Sequence, residues 1–280
     1  METILIGFVI VVSAACFILV YLFWQMEKLP KNRPGKYDIP IGKKVVVLAG
    51  DSITHGQIGA SYVPILEEHL DKKQYSLVNA GVNSHLAWNL LQRVDEIIAC
   101  EPDYVTIMIG TNDANAATSK GVAEEYMKRM NLPKMPNDLW YRECLQGIVT
   151  RLQSETSADI ALISIPPIGE ALDHPAFRIS SDYIKTIQEV ANVTDVAYLP
   201  LHERMLAYLR EHKGEPKYPF ERTKIGMTIA CFKRYILRKD WDTIGREVGF
   251  QLHIDYLHLN TKAASIVAEI IEEFVSSYHI

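Results

Sequence analysis

Three short runs constrain this chain more than any other feature: KVVVLA (44–49), YSLVNA (75–80) and DYVTIMIG (103–110). Each is a short, mostly apolar stretch without strict polar alternation. That is how a strand reads when both of its faces are covered, as in a parallel sheet. DIALISIP (159–166) and VAYLP (196–200) repeat the pattern. Between them lie stretches of helical periodicity, such as SYVPILEEHLD (61–71), with Val63, Leu66 and Leu70 on one face, and segments near 84–99, 138–155, 178–193 and 261–277. Strands alternating with helices predict a doubly wound α/β domain with a mostly parallel central sheet and right-handed crossovers.

Ligands of such sheets bind at the carboxyl ends of the strands. Three polar, Gly-containing loops fall there: GDSITHG (50–56), NAGVNS (79–84) and GTNDAN (110–115). They predict one shared site on one rim. Two segments exceed a minimal sheet. Residues 115–140 extend the third loop, and residues 212–252 form an insertion. Between Lys213 and Glu247 the insertion holds nine Lys/Arg against five Asp/Glu, interleaved with Tyr218, Phe220, Ile225, Met227, Phe232, Tyr235 and Ile236. It reads as a surface helix packed over the core, with a lid or membrane-facing surface as the alternative.

The N-terminus stands apart. From Ile4 to Trp24 there is no charged residue, and a helix of that length spans about 31 Å, close to the ~30 Å hydrocarbon core of a bilayer. No polar face marks it as a core helix, and no basic start marks it as a cleaved signal peptide. The expectation is a single-pass membrane anchor over 1–26, a linker over 27–43 and an α/β domain over 44–280. Lys28, Lys31, Arg33 and Lys36 follow the anchor. The positive-inside bias would hold that flank in the cytoplasm, whereas many anchored domains face outward, and the sequence leaves both sides open. A net charge of −5 supplies no basic field for nucleic acid. Cysteines at 16, 100, 144 and 231, with no CxxC, predict free thiols and no zinc site.

An activated serine needs a base, an orienter for that base and donors where the oxyanion forms. Ser52 sits at a strand-to-helix turn, where backbone N–H groups face a developing negative charge. HIDYLHLN (253–260) places Asp255 and His258 three residues apart, a spacing that turns both side chains to one side of a single turn. Gly81 offers an unobstructed backbone N–H and Asn112 a side-chain amide. His55 lies close to Ser52 in sequence, but three residues into an incipient helix it points away from the acyl carbon. Asp51 is expected to brace the turn.

With these residues in view, the chain resembles the SGNH hydrolases, also called GDSL esterases and lipases. GDSITHG, the Gly81 of NAGVNS, GTND and the late DYLH match the four blocks of that family in order, across residues 44–277. The resemblance implies a flavodoxin-like three-layer α/β/α sandwich and no metal or organic cofactor. Carried over position by position, it implies Ser52 as nucleophile, His258 as general base and then acid, and Asp255 as its orienter. The N–H groups of Ser52 and Gly81, with the Asn112 side chain, would form the oxyanion hole. The expected activity is hydrolysis of carboxylic esters, lipid or lysophospholipid-like, with carbohydrate O-deacetylation or thioester hydrolysis as alternatives. A non-catalytic anchored binding domain is the rival from another class. GDSITHGQIG lacks both a P-loop ending and G-x-G-x-x-G spacing. Nine histidines, His253 among them, include no HExxH pattern.

Overall fold

The structure is a computed structural model that describes residues 2–38 and 41–277, the side chains of residues 2–5, 7, 8, 10 and 11 lying outside the described set. Five parallel strands form one sheet: β1 (Lys44–Gly50), β2 (Tyr75–Gly81), β3 (Tyr104–Met108), β4 (Asp159–Ile163) and β5 (Ala197–Leu199). Their order is β2-β1-β3-β4-β5. The apolar runs fill two cores because successive side chains point to opposite faces. Val45, Val47 and Ala49 enter one core with Val78, Val105 and Ile107. Val46 and Leu48 enter the other with Leu77 and Met108.

Helices cover both faces. Asp138–Glu155 and Pro175–Thr194 bury Leu145, Ile148, Ile184 and Ile187 in the first core. Val63–His69, Leu201–Glu211 and Thr261–Ser277 bury Leu66, Met205, Val267 and Ile271 in the second. The five strands, and the helices over 63–69, 138–155, 175–194 and 261–277, lie where the sequence places them, to within a few residues, whereas the helix Leu201–Glu211 was not expected. The stretch expected as one helix near 84–99 is instead two, Ala87–Leu91 and Val94–Ile98. The break falls at Arg93, whose guanidinium turns beneath the strand ends and donates to the carbonyls of Gly50 (3.1 Å) and Ala80 (2.8 Å) and to His85 Nδ1 (3.1 Å).

The insertion folds as the helices Thr223–Tyr235 and Trp241–Glu247. Ala230, Cys231, Trp241 and Ile244 sink into the second core, so the segment is packed down and not loosely draped. Cys100, Cys144 and Cys231 are buried free thiols.

The N-terminal segment is a helix over Glu2–Met26. The expected membrane span is not borne out: among the described residues no helix is long and apolar enough to cross a membrane, and part of the expected span lies outside the described side chains. Its last turns also serve another purpose, since Leu22 is buried and Met26 packs against the second core. In the segment that follows, expected as a linker over 27–43, Asn32 bonds to the edge of the sheet. Asn79 N–H donates to Asn32 O (2.9 Å), and Asn32 Nδ2 donates to Leu77 O (2.7 Å). Asn32 thereby occupies polar backbone of the edge strand β2, which would otherwise stay unpaired. Asn83 Nδ2 donates to Met26 O (2.9 Å), tying the end of the helix to the rim loop after β2.

Candidate active site

β1 delivers the chain into a tight turn. Asp51 caps the one-turn helix Ser52–His55 by accepting from Ile53 N–H (3.0 Å), and Gly56 closes it at φ 78°. That turn lies directly on the sheet. Gly50 and Gly81 are opposite each other in the β1–β2 register. A Cβ on Gly50 would stand 2.2 Å from Thr54 Oγ1, and one on Gly81 would stand 2.2 Å from His55 N. Bare glycines at both strand ends let the turn pack closely, which fixes the position of Ser52.

Ser52 Oγ is 3.0 Å from His258 Nε2, and His258 Nδ1 is 2.9 Å from Asp255 Oδ2. Asp255 Oδ1 also accepts from the backbone N–H groups of Leu257 and His258, both at 2.7 Å, so the carboxylate shapes the turn that carries its own partner. All three side chains are buried. Burial opposes charge on both members of the pair. Mutual attraction and hydrogen bonding outweigh it, holding Asp255 below the ordinary carboxylate range and raising His258 above the ordinary imidazole value. Behind the serine, burial raises Asp51 to about 6, against the Ile53 N–H that stabilises its anion.

Asn112 opens the short helix after β3. Its Oδ1 accepts from Tyr126 OH (2.6 Å), which fixes the amide orientation, and its Nδ2 donates to His85 O (3.0 Å) and lies 3.4 Å from Asp51 Oδ2. The amide is thus clamped between the extended third loop and the loop after β2. Gly81 is different. Its N–H donates to Asn79 Oδ1 (2.9 Å), and Asn79 Nδ2 in turn donates to Thr54 O (2.8 Å). The amide expected to point at an oxyanion is therefore engaged within the strand end, and the glycine is explained by the close approach of His55. Three residues on, Ser84 takes φ 63°. Among the described residues, its N–H and that of Ser52 donate to no acceptor.

The structure brings Ser52, Asp255, His258 and Asn112 to one rim, with Gly81 beneath the turn. His55 is buried, no hydrogen bond joins it to Ser52, and burial lowers its pKa. Sequence reasoning missed Asn79, Tyr126 and Ser84. Asn79 and Ser84 stand inside the NAGVNS block, and the side-chain bridge and positive φ are what single them out. Tyr126 carries no local signal, because its role is set by a contact across the extended loop.

A model of the GDSL-like lipase/acylhydrolase family matches residues 48–221. That span takes in Ser52, Gly81 and Asn112, and Asp255 and His258 lie beyond it. No curated protein matches the chain in sequence. Among solved structures, the chain is similar to the acetylxylan esterase Axe2 from Geobacillus stearothermophilus, at 18% identity over 85% of this chain and 96% of that one, with a TM-score of 0.58. It is similar to the acetyl xylan esterase AlAXEase, at 20% identity over 82% and 99%, with a TM-score of 0.58. A third likeness is to the lipase/acylhydrolase from Enterococcus faecalis, at 20% identity over 84% and 96%, with a TM-score of 0.54. At these identities the likeness to the solved structures is one of fold.

Proposed function

The chain belongs to the GDSL-like lipase/acylhydrolase family and is a carboxylic ester hydrolase, and from that premise we propose that it works through an acyl-enzyme on Ser52. One observation carries the proposal: Ser52 Oγ, His258 Nε2 and Asp255 Oδ2 form a continuous chain of two hydrogen bonds, with the imidazole between them. Ser52 Oγ attacks the ester carbonyl carbon while His258 Nε2 takes the hydroxyl proton. The same imidazolium gives that proton to the departing alkoxide. Water then attacks the acyl-enzyme with His258 again as base, and Ser52 leaves with the proton. Asp255 holds the Nδ1–H tautomer and stabilises the imidazolium. The donors assigned to the oxyanion are Ser52 N–H, the Asn112 amide and Ser84 N–H in place of Gly81.

We assign a short acyl group, acetyl on carbohydrate being the favoured substrate class. Two of the fold neighbours are acetylxylan esterases by name, and Ser52, Asn112 and His258 are each less than a tenth exposed, which suits a small acyl group. A lipid ester is the second reading. An apolar cavity of about 150 Å³ lies under the Thr223–Tyr235 helix, lined by Ile225, Ile229, Ile244 and Ile254, the last next to Asp255. Association with a membrane through the Glu2–Met26 helix is part of that reading. It is supported by the uncharged stretch Ile4–Trp24 and by exposed Phe17, Val20, Phe23 and Trp24.

The test is hydrolysis of p-nitrophenyl esters from acetate to dodecanoate by the full chain, with Ser52→Ala alongside. The expected result is an optimum at acetate that vanishes in the variant. An optimum at long chains would replace carbohydrate acetate with lipid ester, and cleavage persisting in Ser52→Ala would overturn the acyl-enzyme. Recovery of the full chain with membranes, and its loss on replacing Phe17, Val20 and Phe23 by Asp, tests the membrane association.

A further inference from the structure

The catalytic loop, residues 251–260, contains no strand or helix beyond one isolated bridge, His253 to Leu259. An irregular segment keeps a precise side-chain pair only if its backbone is fixed by other means. A carboxylate from far along the chain supplies that fixation. Glu170, in the loop between β4 and the helix Pro175–Thr194, is buried, and its Oε2 accepts from Gln251 N–H (2.8 Å). Its Oε1 accepts from Leu252 N–H (2.7 Å), His253 N–H (3.0 Å) and His253 Nδ1 (2.9 Å). One residue earlier, Gly169 N–H donates to Tyr256 O (2.9 Å). Residues 169 and 170 therefore grip the loop on both sides of Asp255.

Nothing competes for that grip. The His253 ring is fully buried and its Nε2 has no hydrogen-bond partner among the described residues, so Nδ1 is assigned the proton and the imidazole serves Glu170. The insertion closes the remaining side. A Cβ on Gly214 would stand 2.0 Å from Glu170 Oε2, so the backbone of the insertion rests on the carboxylate. A buried carboxylate is tolerated when its oxygens are fully paired, and four N–H donors meet that condition.

We infer that Glu170 is a positioning residue for the reaction: seated by His253, its carboxylate fixes the backbone of residues 251–253, and through it the Asp255–His258 pair. The inference rests on the ester-hydrolase reading of Ser52 and His258. The ionisable groups facing His258 are Asp255 and, behind the serine, Asp51. Loosening the grip on Asp255 weakens the larger of the two attractions that hold the imidazole's proton.

The experiment measures the rate at which a fluorophosphonate labels Ser52 in the full chain, as a function of pH. In labelling, Ser52 Oγ bonds to phosphorus, fluoride leaves and His258 takes the hydroxyl proton, so no ester substrate has to be known. A wild-type protein that is not labelled refutes the hydrolase reading itself. If it is labelled, Glu170→Gln should slow labelling about tenfold, the scale of a small misplacement, and move the acidic limb of the profile to lower pH. An acidic limb at the wild-type position in folded Glu170→Gln overturns the inference. Should that variant not fold, His253→Leu carries the same test: the limb moves down, and His253→Asn, which restores a donor near the Nδ1 position, brings it back. A limb unmoved in His253→Leu overturns the inference equally.

Discussion

The last block of the chain contains two carboxylate–histidine pairs that are alike at the bond itself. His258 Nδ1 meets Asp255 and His253 Nδ1 meets Glu170, each at 2.9 Å, and all four side chains are buried. They differ at the other ring nitrogen. His258 Nε2 faces a serine hydroxyl at 3.0 Å, whereas among the described residues His253 Nε2 has no hydrogen-bond partner. A carboxylate that fixes the tautomer of an imidazole is thus half of a catalytic device, and the half that matters for chemistry is what the second nitrogen reaches. The first pair can move protons and the second can hold only position.

That difference predicts the largest effect. His258→Ala and Ser52→Ala should each lower kcat by ~10⁴-fold or more, the range found when one member of such a triad is removed. His253→Ala should leave kcat within about tenfold of wild type and show its cost in a lowered Tm, because it takes one of four N–H donors from a buried carboxylate and leaves a cavity where the ring was. Steady-state kinetics beside thermal melts make the comparison. Equal losses from the two histidines would abolish the distinction.

Next in size, Asn112→Ala should cost ~10²-fold in kcat, as loss of one oxyanion donor does. Tyr126→Phe removes the hydrogen bond that orients Asn112 Oδ1, together with the acceptor of Asn115 Nδ2, and should cost less, with KM little changed. A Tyr126→Phe loss equal to that of Asn112→Ala would mean that orientation is the whole of the amide's contribution.

The pH dependence follows from the same pair. His258 must be neutral to accept the serine proton, and its pKa in the folded enzyme is raised. kcat/KM should therefore fall as pH drops through a value above the ordinary 6.5, and rise to a plateau above it. The stability linkage has the same origin. The raised imidazole contributes stability that is fully present below its unfolded pKa and lost as pH rises through the folded value. Asp255, with its lowered pKa, contributes stability present above its unfolded pKa and lost as pH falls. Asp255→Asn removes the attraction and should shift the acidic limb of the rate profile down. A limb that stays in place would detach Asp255 from the titration.

Much of this arrangement was legible in the sequence, for a physical reason. Apolar runs alternating with helices point to a parallel sheet, and such a sheet collects its strand-end loops on one rim, so Ser52, Gly81 and Asn112 could be placed together, while Asp255 and His258 were legible from their spacing and from the resemblance. What could not be read was set by contacts between distant segments. The Glu170 grip joins residues about eighty positions apart through backbone N–H groups that any sequence supplies. The N-terminal stretch reads as an anchor followed by a linker because its composition is apolar and then basic. Packing of Leu22 and Met26, and the Asn32 bonds to β2, depend on which edge of the sheet lies bare.

Gly81 gives the smallest effect and the sharpest contrast with expectation. Read as a sequence, its value lies in an unobstructed N–H. In the folded chain that N–H is bonded to Asn79, and what the position requires is the absence of a Cβ 2.2 Å from His55 N. Gly81→Ala keeps the N–H and adds the clash, so it separates the two accounts. Overpacking of this kind costs ~1–3 kcal/mol, which for a domain of this size lowers Tm by roughly 2–4 °C per kcal/mol. The melt should drop accordingly, while the kcat of the folded fraction falls only as far as the Ser52–His55 turn is displaced. Asn79→Ala supplies the complement: it frees the Gly81 N–H without a clash, and should loosen the turn through the lost bond to Thr54 O. A rise in kcat for Asn79→Ala would show that the freed amide can serve the oxyanion. A fall would leave that task to Ser52, Ser84 and Asn112.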